Sequence, residues 1–214
     1  MESGAKRVFA GAIAWPGWSR SGKTEELALQ ALLTYAPRYA EVVKGFRPAF
    51  RLPRGLQVVE RLRGDATTDF GAPSQTPKGD RAPVDAKELA RLTKVLQAAW
   101  AAFDKAAEEA RGKKLKTGPR GGGRSLAKIV GHVVGAEGGY VRVIRGKAPE
   151  VDERRARAVA QAVHDAALEA LTRAVTEGLP EKGPRGGKIW TPRFFVRRAA
   201  WHVLDHAWEI QDRS

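Results

Sequence analysis

The strongest constraint on the fold is the spacing of apolar residues after Pro83, because every periodic segment there is helical and none alternates as a strand does. Four such segments follow one another, and each begins at a residue that commonly caps helices. They run from Asp85 to Arg111, from Ser125 to about Ile144, from Asp152 to about Glu177, and from Thr191 to the last residue. Four amphipathic helices joined by moderate loops predict a mainly α fold, a four-helix up-down bundle.

An internal repeat relates the second predicted helix to the fourth. The segments Gly118–Val133 (GPRGGGRSLAKIVGHV) and Gly183–Val203 (GPRGGKIWTPRFFVRRAAWHV) share a Gly-Pro-Arg-Gly-Gly loop, a helix cap and a histidine two to three turns into the helix. The bundle is therefore expected to consist of two similar helical hairpins. In an up-down bundle both Gly-rich loops would lie at the same end.

The first 64 residues follow a different pattern, which predicts a small α+β domain of strand-helix-strand order. Residues 6–14 alternate as a strand does, Thr24 caps a helix that Pro37 kinks, and Leu56–Leu62 predicts a second strand. Residues 65–84 are rich in Pro, Gly, Thr and Asp and predict a linker. The predicted organisation is thus a domain at 1–64, a linker at 65–84 and the bundle at 85–214.

The composition excludes several kinds of site. The chain has no cysteine, so disulfides, thiolate metal sites and a cysteine nucleophile are excluded, and any metal must be bound by His, Asp or Glu. The absence of Asn fits a protein that works at high temperature, although a high-GC codon bias produces the same richness in Ala, Arg and Gly. The longest apolar stretch, residues 8–15, is too short to span a bilayer, and no secretion signal precedes it. We expect a cytoplasmic protein with no membrane partner.

One motif matches the phosphate-binding loop of nucleotide hydrolases, and we interpret it as a coincidence. The segment Gly17–Thr24 (GWSRSGKT) has the required spacing. Such an enzyme also needs a parallel sheet and a second strand that carries an Asp for Mg²⁺, and the chain after Pro83 has no predicted strand. The segment therefore predicts a turn followed by the Thr24 helix cap.

Three of the four histidines are candidate metal ligands. His202 and His206 are four residues apart, so their imidazoles lie on one face of the fourth helix, the face that points into the core. His132 occupies the repeat-related place on the second helix and could supply a third nitrogen. Three imidazoles without sulfur suit Zn²⁺, Ni²⁺ or Fe²⁺ and leave coordination positions open, as catalytic sites do. The alternative is three separate hydrogen-bonded histidines.

Other residues near these histidines have less specific signals. Glu209 lies nearly in line with His202 and is a candidate catalytic base or a carboxylate that supports a ligand, although a solvated helix-end glutamate fits equally well. His164 could be a fourth ligand, but we interpret it as a core or boundary histidine, and Glu137 is expected to face elsewhere. Glycines at positions 131, 135 and 139 allow either close helix packing or room for a substrate.

The net charge of +14 is spread over both halves of the chain, and basic residues cluster in two segments that have no acidic residue, Arg111–Arg124 and Lys182–Arg198. An up-down bundle would bring both to one end, where two helix N-termini also point. We therefore predict an anion or substrate site formed by Arg120, Arg124, Arg185, Arg193 and Arg197. Guanidinium groups suit carboxylate or phosphate. A solvated, solubilising surface is the alternative.

The bundle resembles the DinB/YfiT-like metalloenzymes. The resemblance rests on His132 in HVVGAEGGYV and on the histidine pair in RRAAWHVLDHAWEIQDR, and it covers about 60% of the chain. That family carries one ligand histidine on the second helix and an H-x-x-x-H pair on the fourth. The resemblance implies a divalent metal on His132, His202 and His206, with Zn²⁺ or Ni²⁺ as the leading candidates. It also implies, as in characterised branches, a low-molecular-weight thiol cosubstrate.

The N-terminal segment WPGWSRSGKTEELALQALLTYA is similar to the small strand-helix-strand domain of HicB-like proteins, over a short match. This resemblance accounts for the phosphate-loop pattern as a turn and a capped helix. In the antitoxin setting such a domain binds a partner protein.

The sequence supports two functional hypotheses. The leading hypothesis is a divalent-metal-dependent enzyme that acts on an anionic small molecule, as a thiol-dependent transferase or isomerase or as a hydrolase. The alternative is a non-catalytic module, related to DNA damage or to toxins, that binds nucleic acid or protein through its positive charge. Trp201 and Trp208 share a helix face, which keeps this alternative open. Whether the chain forms a homodimer is also left open.

Overall fold

The computed structural model describes residues 1–118, 123–183 and 186–214. Its elements in chain order are β1 (Glu2–Ser3), β2 (Val8–Gly11), β3 (Ser19–Gly22), α1 (Glu25–Thr34), α2 (Ala36–Val42), β4 (Leu62–Arg63), α3 (Ala66–Phe70), α4 (Ala86–Glu109), α5 (Leu126–Val143), α6 (Ala156–Thr176) and α7 (Pro192–Arg213). Short 3₁₀ helices occupy Lys78–Arg81 and Glu153–Arg155. The protein is mainly helical, with a small mixed sheet near its N-terminus, and no helix in these described ranges is long and apolar enough to cross a membrane.

The long helices begin close to the residues that the sequence predicts. Asp85, Ser125 and Thr191 each accept a hydrogen bond from the backbone N–H three residues further along, which satisfies one of the free donors of a helix start. The third long helix differs, because Asp152 caps a 3₁₀ turn and α6 begins only at Ala156. The predicted helix positions are confirmed to within a few residues.

Helices α4 and α7 run parallel to each other. At their starts, Arg193 in the first turn of α7 donates to the Glu88 carboxylate and to the Pro83 carbonyl oxygen at 3.0 Å. At their ends, the backbone N–H of Lys116, just after α4, donates to the Arg213 carbonyl oxygen at 2.8 Å. The first and fourth long helices therefore point the same way.

Helices α5 and α6 both run opposite to that pair. Arg213 at the end of α7 donates to the Arg124 carbonyl oxygen, just before α5, and Arg157 at the start of α6 donates to Glu108 at the end of α4, both at 2.9 Å. Residues 144–152 return along α5, since Gly138 faces the side chains of Ala148 and Val151. The predicted up-down alternation is therefore wrong, and the order of directions is up-down-down-up.

This topology separates the two basic segments. The segment that ends at Arg124 leads into α5 at one end of the bundle, and the segment that contains Arg193 leads into α7 at the opposite end. The expectation that both segments meet at one end is wrong. Because residues 144–152 run back along α5, α6 starts at the same end of the bundle as α5 and α7 starts at the opposite end.

The sheet has the strand order β3-β2-β1-β4. β2 pairs antiparallel with both β1 and β3, and β1 pairs parallel with β4 through Glu2 and Leu62. The first predicted strand is confirmed within Val8–Gly11, but the predicted strand at Leu56–Leu62 retains only Leu62 as strand. β3 was missed because its residues, Ser-Arg-Ser-Gly, lack apolar alternation.

Strand β3 lies within the segment that matches a phosphate-binding loop. Residues Ser19–Gly22 lie inside GWSRSGKT and pair with β2, so this backbone forms part of the sheet and does not form a phosphate cradle. Thr24 then caps α1 by accepting from the backbone N–H of Leu27 at 3.2 Å.

The segment predicted as a linker is folded against its neighbours. It contains α3 and a 3₁₀ helix, and its Asp80 is 2% exposed. Arg197 of α7 donates to both carboxylate oxygens of Asp80, at 2.6 and 2.7 Å, and also to the carbonyl oxygens of Ala12 and Ile13. One hydrophobic core extends from the N-terminal part into the bundle. The division at residues 64 and 84 stays a prediction.

We expect Asp80→Ala to lower the free energy of unfolding by about 3 kcal/mol, because it leaves the Arg197 guanidinium inside the protein without its carboxylate. Urea unfolding followed by circular dichroism measures this loss. The matched control is Glu109→Ala, which removes an exposed pair with Lys105 and should cost less than about 1 kcal/mol. Equal effects of the two substitutions would show that residues 65–84 do not stabilise the bundle.

Candidate metal centre

Three histidines from two antiparallel helices converge in the bundle. His132 lies in the first half of α5, and His202 and His206 lie on successive turns of α7. Their ring centroids are 5.0 Å apart for His132 and His202, 5.0 Å for His132 and His206, and 4.8 Å for His202 and His206. One ring nitrogen from each residue lies within 4.8 Å of the other two. The three residues that the sequence predicts as ligands are thus brought together.

The spacing of the nitrogens fits a shared ion. The Nε2 atoms of His132 and His202 are 3.1 Å apart. Two imidazole nitrogens that each lie about 2.0 to 2.1 Å from one ion are about 2.9 to 3.4 Å from each other at ordinary coordination angles. Three imidazoles without thiolate are a donor set that Zn²⁺ and Ni²⁺ accept. The described donors therefore fit a divalent transition metal.

The surroundings keep two of these imidazoles neutral, which is the state that binds a metal. Partial desolvation first, and then electrostatic interaction with His206 and Arg124, lower the pKa of His132 to about 4. Burial lowers the pKa of His202 well below its usual value. His202 and His206 are buried whereas His132 is exposed, so the group is reached from the side of His132.

Glu209 contacts His206 through the Nδ1 atom of its ring. The Nδ1 of His206 lies 2.7 Å from Oε2 of Glu209, and Arg213 donates to Oε1 at 2.6 Å. These contacts, the His206 hydrogen bond first, lower the pKa of Glu209 to about 2. An Nδ1–H held by a carboxylate leaves Nε2 of the same ring free to bind an ion. The contacts therefore suit an orienting carboxylate, and a catalytic role for Glu209 stays a prediction.

Arg213 fixes this end of the site and was not identified from the sequence. It is 3% exposed, and besides Glu209 it donates to the carbonyl oxygens of Lys116 and Arg124 at 2.8 and 2.9 Å. Its side chain thus joins the histidine group to the connection between α4 and α5. The i, i+4 spacing of Glu209 and Arg213 was the signal available in the sequence.

His164 and Glu137 form a separate buried group. The imidazole of His164 stacks on Trp100 with ring centroids 4.0 Å apart, and its Nε2 lies 3.5 Å from Glu137. The indole N–H of Trp100 donates to Glu137 at 2.5 Å. His164 therefore lies outside the three-histidine group, in agreement with its interpretation as a core residue.

The predicted arginine site is only partly supported by these positions. Arg193 and Arg197 are bound to Glu88, to Asp80 and to backbone carbonyl oxygens at the end of α7 far from Arg124, so assigning them to an anion site is wrong. Arg120 and Arg185 lie outside the described residues. Arg124 is exposed, and its charge reaches His132 and His202.

The glycines at positions 131, 135 and 139 of α5 have two kinds of surroundings. A side chain at Gly131 would come within 2.6 Å of Glu153, so this glycine permits close packing. A Cβ at Gly135 or Gly139 would meet nothing within 4 Å. Close helix packing thus accounts for Gly131, and open space lies beside α5 one turn beyond His132. Room for a substrate at Gly135 and Gly139 stays a prediction.

The comparisons with known proteins give one match. Residues 95–210 match the family model described as the DinB superfamily. The matched range contains all three clustered histidines and Glu209. No curated protein and no solved structure matches the chain. The resemblance of residues 15–36 to HicB-like proteins stays a prediction.

In chelator-treated protein, we expect the free energy of unfolding to fall as the pH is lowered from about 6.5 to 4. The unfolded chain takes up protons at the usual histidine pKa, whereas folded His132 and His202 resist protonation, so acid favours unfolding. Urea unfolding at several pH values measures the slope. The variant His202→Asn should have a smaller slope in this range, and a slope equal to that of the parent would contradict the lowered pKa of His202.

Proposed function

Because the chain belongs to the DinB superfamily, we propose that it is a divalent-metal-dependent enzyme with the ion bound by His132, His202 and His206. The observation that carries the proposal is the convergence of one nitrogen from each imidazole within 4.8 Å. Proteins of this superfamily commonly bind metals. Zn²⁺ and Ni²⁺ are the leading candidates, and three protein ligands leave positions for substrate.

The residues around the histidines have defined tasks in such an enzyme. A bound divalent ion would supply Lewis-acid chemistry, which acidifies a thiol or water and polarises an oxygen of the substrate. Glu209 holds the Nδ1 proton of His206, and Arg213 keeps Glu209 in place. Because the pKa of Glu209 is about 2 and both its oxygens accept hydrogen bonds, it is a weak base. Its favoured task is to orient His206.

The substrate that fits this site is a small anion, used together with a low-molecular-weight thiol. The exposed side of the group is formed by His132, with Arg124 nearby and open space beside Gly135. The chain has no cysteine, so a sulfur nucleophile has to come from a cosubstrate. Transfer or isomerisation with a thiol, or hydrolysis, are the reaction classes that this arrangement supports.

The alternative of a nucleic-acid-binding module loses its main argument. Trp201 and Trp208 are 4% and 3% exposed, so neither indole is available to stack on a base. The positive charge alone predicts only weak attraction to polyanions. Homodimer formation, a cytoplasmic location and operation at high temperature stay predictions from the sequence.

Untagged protein is expected to contain about one divalent ion per chain when elements are measured by mass spectrometry. His202→Ala and His206→Ala should lose most of this metal and the thermal stability that it provides. His164→Ala is the matched control, because it removes a buried imidazole from another part of the bundle and should retain the metal. Loss of metal in the control, with retention in the other two variants, would overturn the ligand set.

Arg124→Ala is expected to weaken the binding of mercaptoacetate to the metal-loaded protein by about threefold, because a nearby exposed cation is lost. The neutral 2-mercaptoethanol should bind equally to both proteins, and calorimetry measures both affinities. Arg142→Ala, which removes an exposed arginine at the other end of α5, is the control. Unchanged affinity for mercaptoacetate, with a salt-dependent loss of DNA binding, would favour the nucleic-acid function at this end.

A further inference from the structure

A cavity lies between the N-terminal sheet and α7. Its volume is about 280 Å³, near the lower limit for small-molecule sites. Aliphatic and aromatic side chains form most of its wall, among them Phe9, Leu29, Leu32, Val58 and Phe194. A space of this size and lining suits a short apolar group.

Arg198 places a buried positive charge at the wall of this cavity. The residue is 8% exposed, and its guanidinium carbon lies 5.0 Å from the ring centroid of Tyr140 and 4.7 Å from that of Trp201. Among the residues that the structure describes, no carboxylate lies within 4.0 Å of this guanidinium, and its Nη1 has no hydrogen-bond partner. A buried cation without an anion is costly, so a ligand that supplies the anion is favoured.

Trp201 adds a second unsatisfied donor to the same wall. It is 4% exposed and lines the cavity, and within the described parts of the chain its indole N–H donates to no acceptor. Buried indole N–H groups usually have an acceptor. Arg198 and Trp201 are three residues apart on α7, so their donors belong to one face of the helix.

The other charged groups at the cavity are already matched. Glu2 accepts hydrogen bonds from the Thr68 hydroxyl and from the backbone N–H of Ser74, and Arg197 is paired with Asp80. The Glu60 carboxylate accepts from the backbone N–H of Lys78, and the Met1 ammonium donates to the Glu60 carbonyl oxygen. Arg198 is therefore the charged group of the described wall that a ligand would neutralise.

We propose that this cavity binds a small monocarboxylate with an apolar tail. Its carboxylate oxygens would accept hydrogen bonds from Arg198 and Trp201, since a planar carboxylate matches the fork of a guanidinium. The apolar tail would fill the space between the sheet and α7. A phosphate fits less well, because a dianion would add a second charge where one cation is unpaired. The proposal does not depend on a metal at the histidines.

The test uses octanoate as the probe, with calorimetry and tryptophan fluorescence on chelator-treated full-length protein. Octanoate should bind at one site per chain. Acetate, which has the charge without the tail, and octan-1-ol, which has the tail without the charge, should each bind at least about tenfold more weakly than octanoate. Equal binding of octan-1-ol and octanoate would overturn the proposal. Octanoate binding that appears only after metal is restored would also overturn it, because the carboxylate would then be bound at the histidines.

Two variants assign the contacts within the cavity. Arg198→Gln should weaken octanoate binding about tenfold or more and leave octan-1-ol binding unchanged, whereas Arg142→Gln on the exposed face of α5 should change neither. Trp201→Phe keeps an aromatic ring and removes the N–H, and it should weaken octanoate binding severalfold. If Arg198→Gln does not fold, the affinities of Trp201→Phe for octanoate and octan-1-ol show whether the cavity binds the carboxylate. Parent-like octanoate affinity in Trp201→Phe together with equal affinity for octan-1-ol would refute the site.

Discussion

Helix α7 is buried over most of its surface, and each polar side chain that it buries has to be matched inside the protein. It packs between α4, α5 and the N-terminal sheet, and 15 of its 22 residues are buried. A helix in such a buried position could consist of apolar residues alone, yet two histidines and two arginines are among the buried residues of α7. Because unpaired polar groups are costly in a core, the partners of these side chains determine how the other elements are placed.

Most of these side chains have partners from distant parts of the sequence. Arg197 is held by Asp80, and Arg213 is held by Glu209 and by two carbonyl oxygens that lead into α5. On α7, the buried side-chain groups without a partner among the described residues are the Nδ1 of His202, the Nη1 of Arg198 and the indole N–H of Trp201. These unmatched groups lie at the histidine cluster and at the cavity beside the sheet. The sites of proposed function are thus the places where α7 lacks internal partners.

The sequence predicted what depends on local patterns and missed what depends on distant partners. Helix starts followed from Asp85, Ser125 and Thr191, and the three clustered histidines followed from an i, i+4 pair and a repeat. The direction of α6 did not follow, because it depends on how residues 144–152 pack against α5. Arg193 and Arg197 were assigned to an anion site because their partners are more than 100 residues away in the chain. The strand Ser19–Gly22 was missed because its sequence has no alternation of apolar and polar residues, and it is held in the sheet by backbone pairing with β2.

We propose that the three imidazoles on α5 and α7 bind one divalent ion. Crystals of protein loaded with Zn²⁺, measured on both sides of the zinc absorption edge, test it most directly. A single strong anomalous peak is expected about 2.0 to 2.1 Å from one nitrogen each of His132, His202 and His206. A peak beside Glu137 and His164, or no peak at the three histidines at full zinc loading, would show that the three imidazoles do not form the metal site.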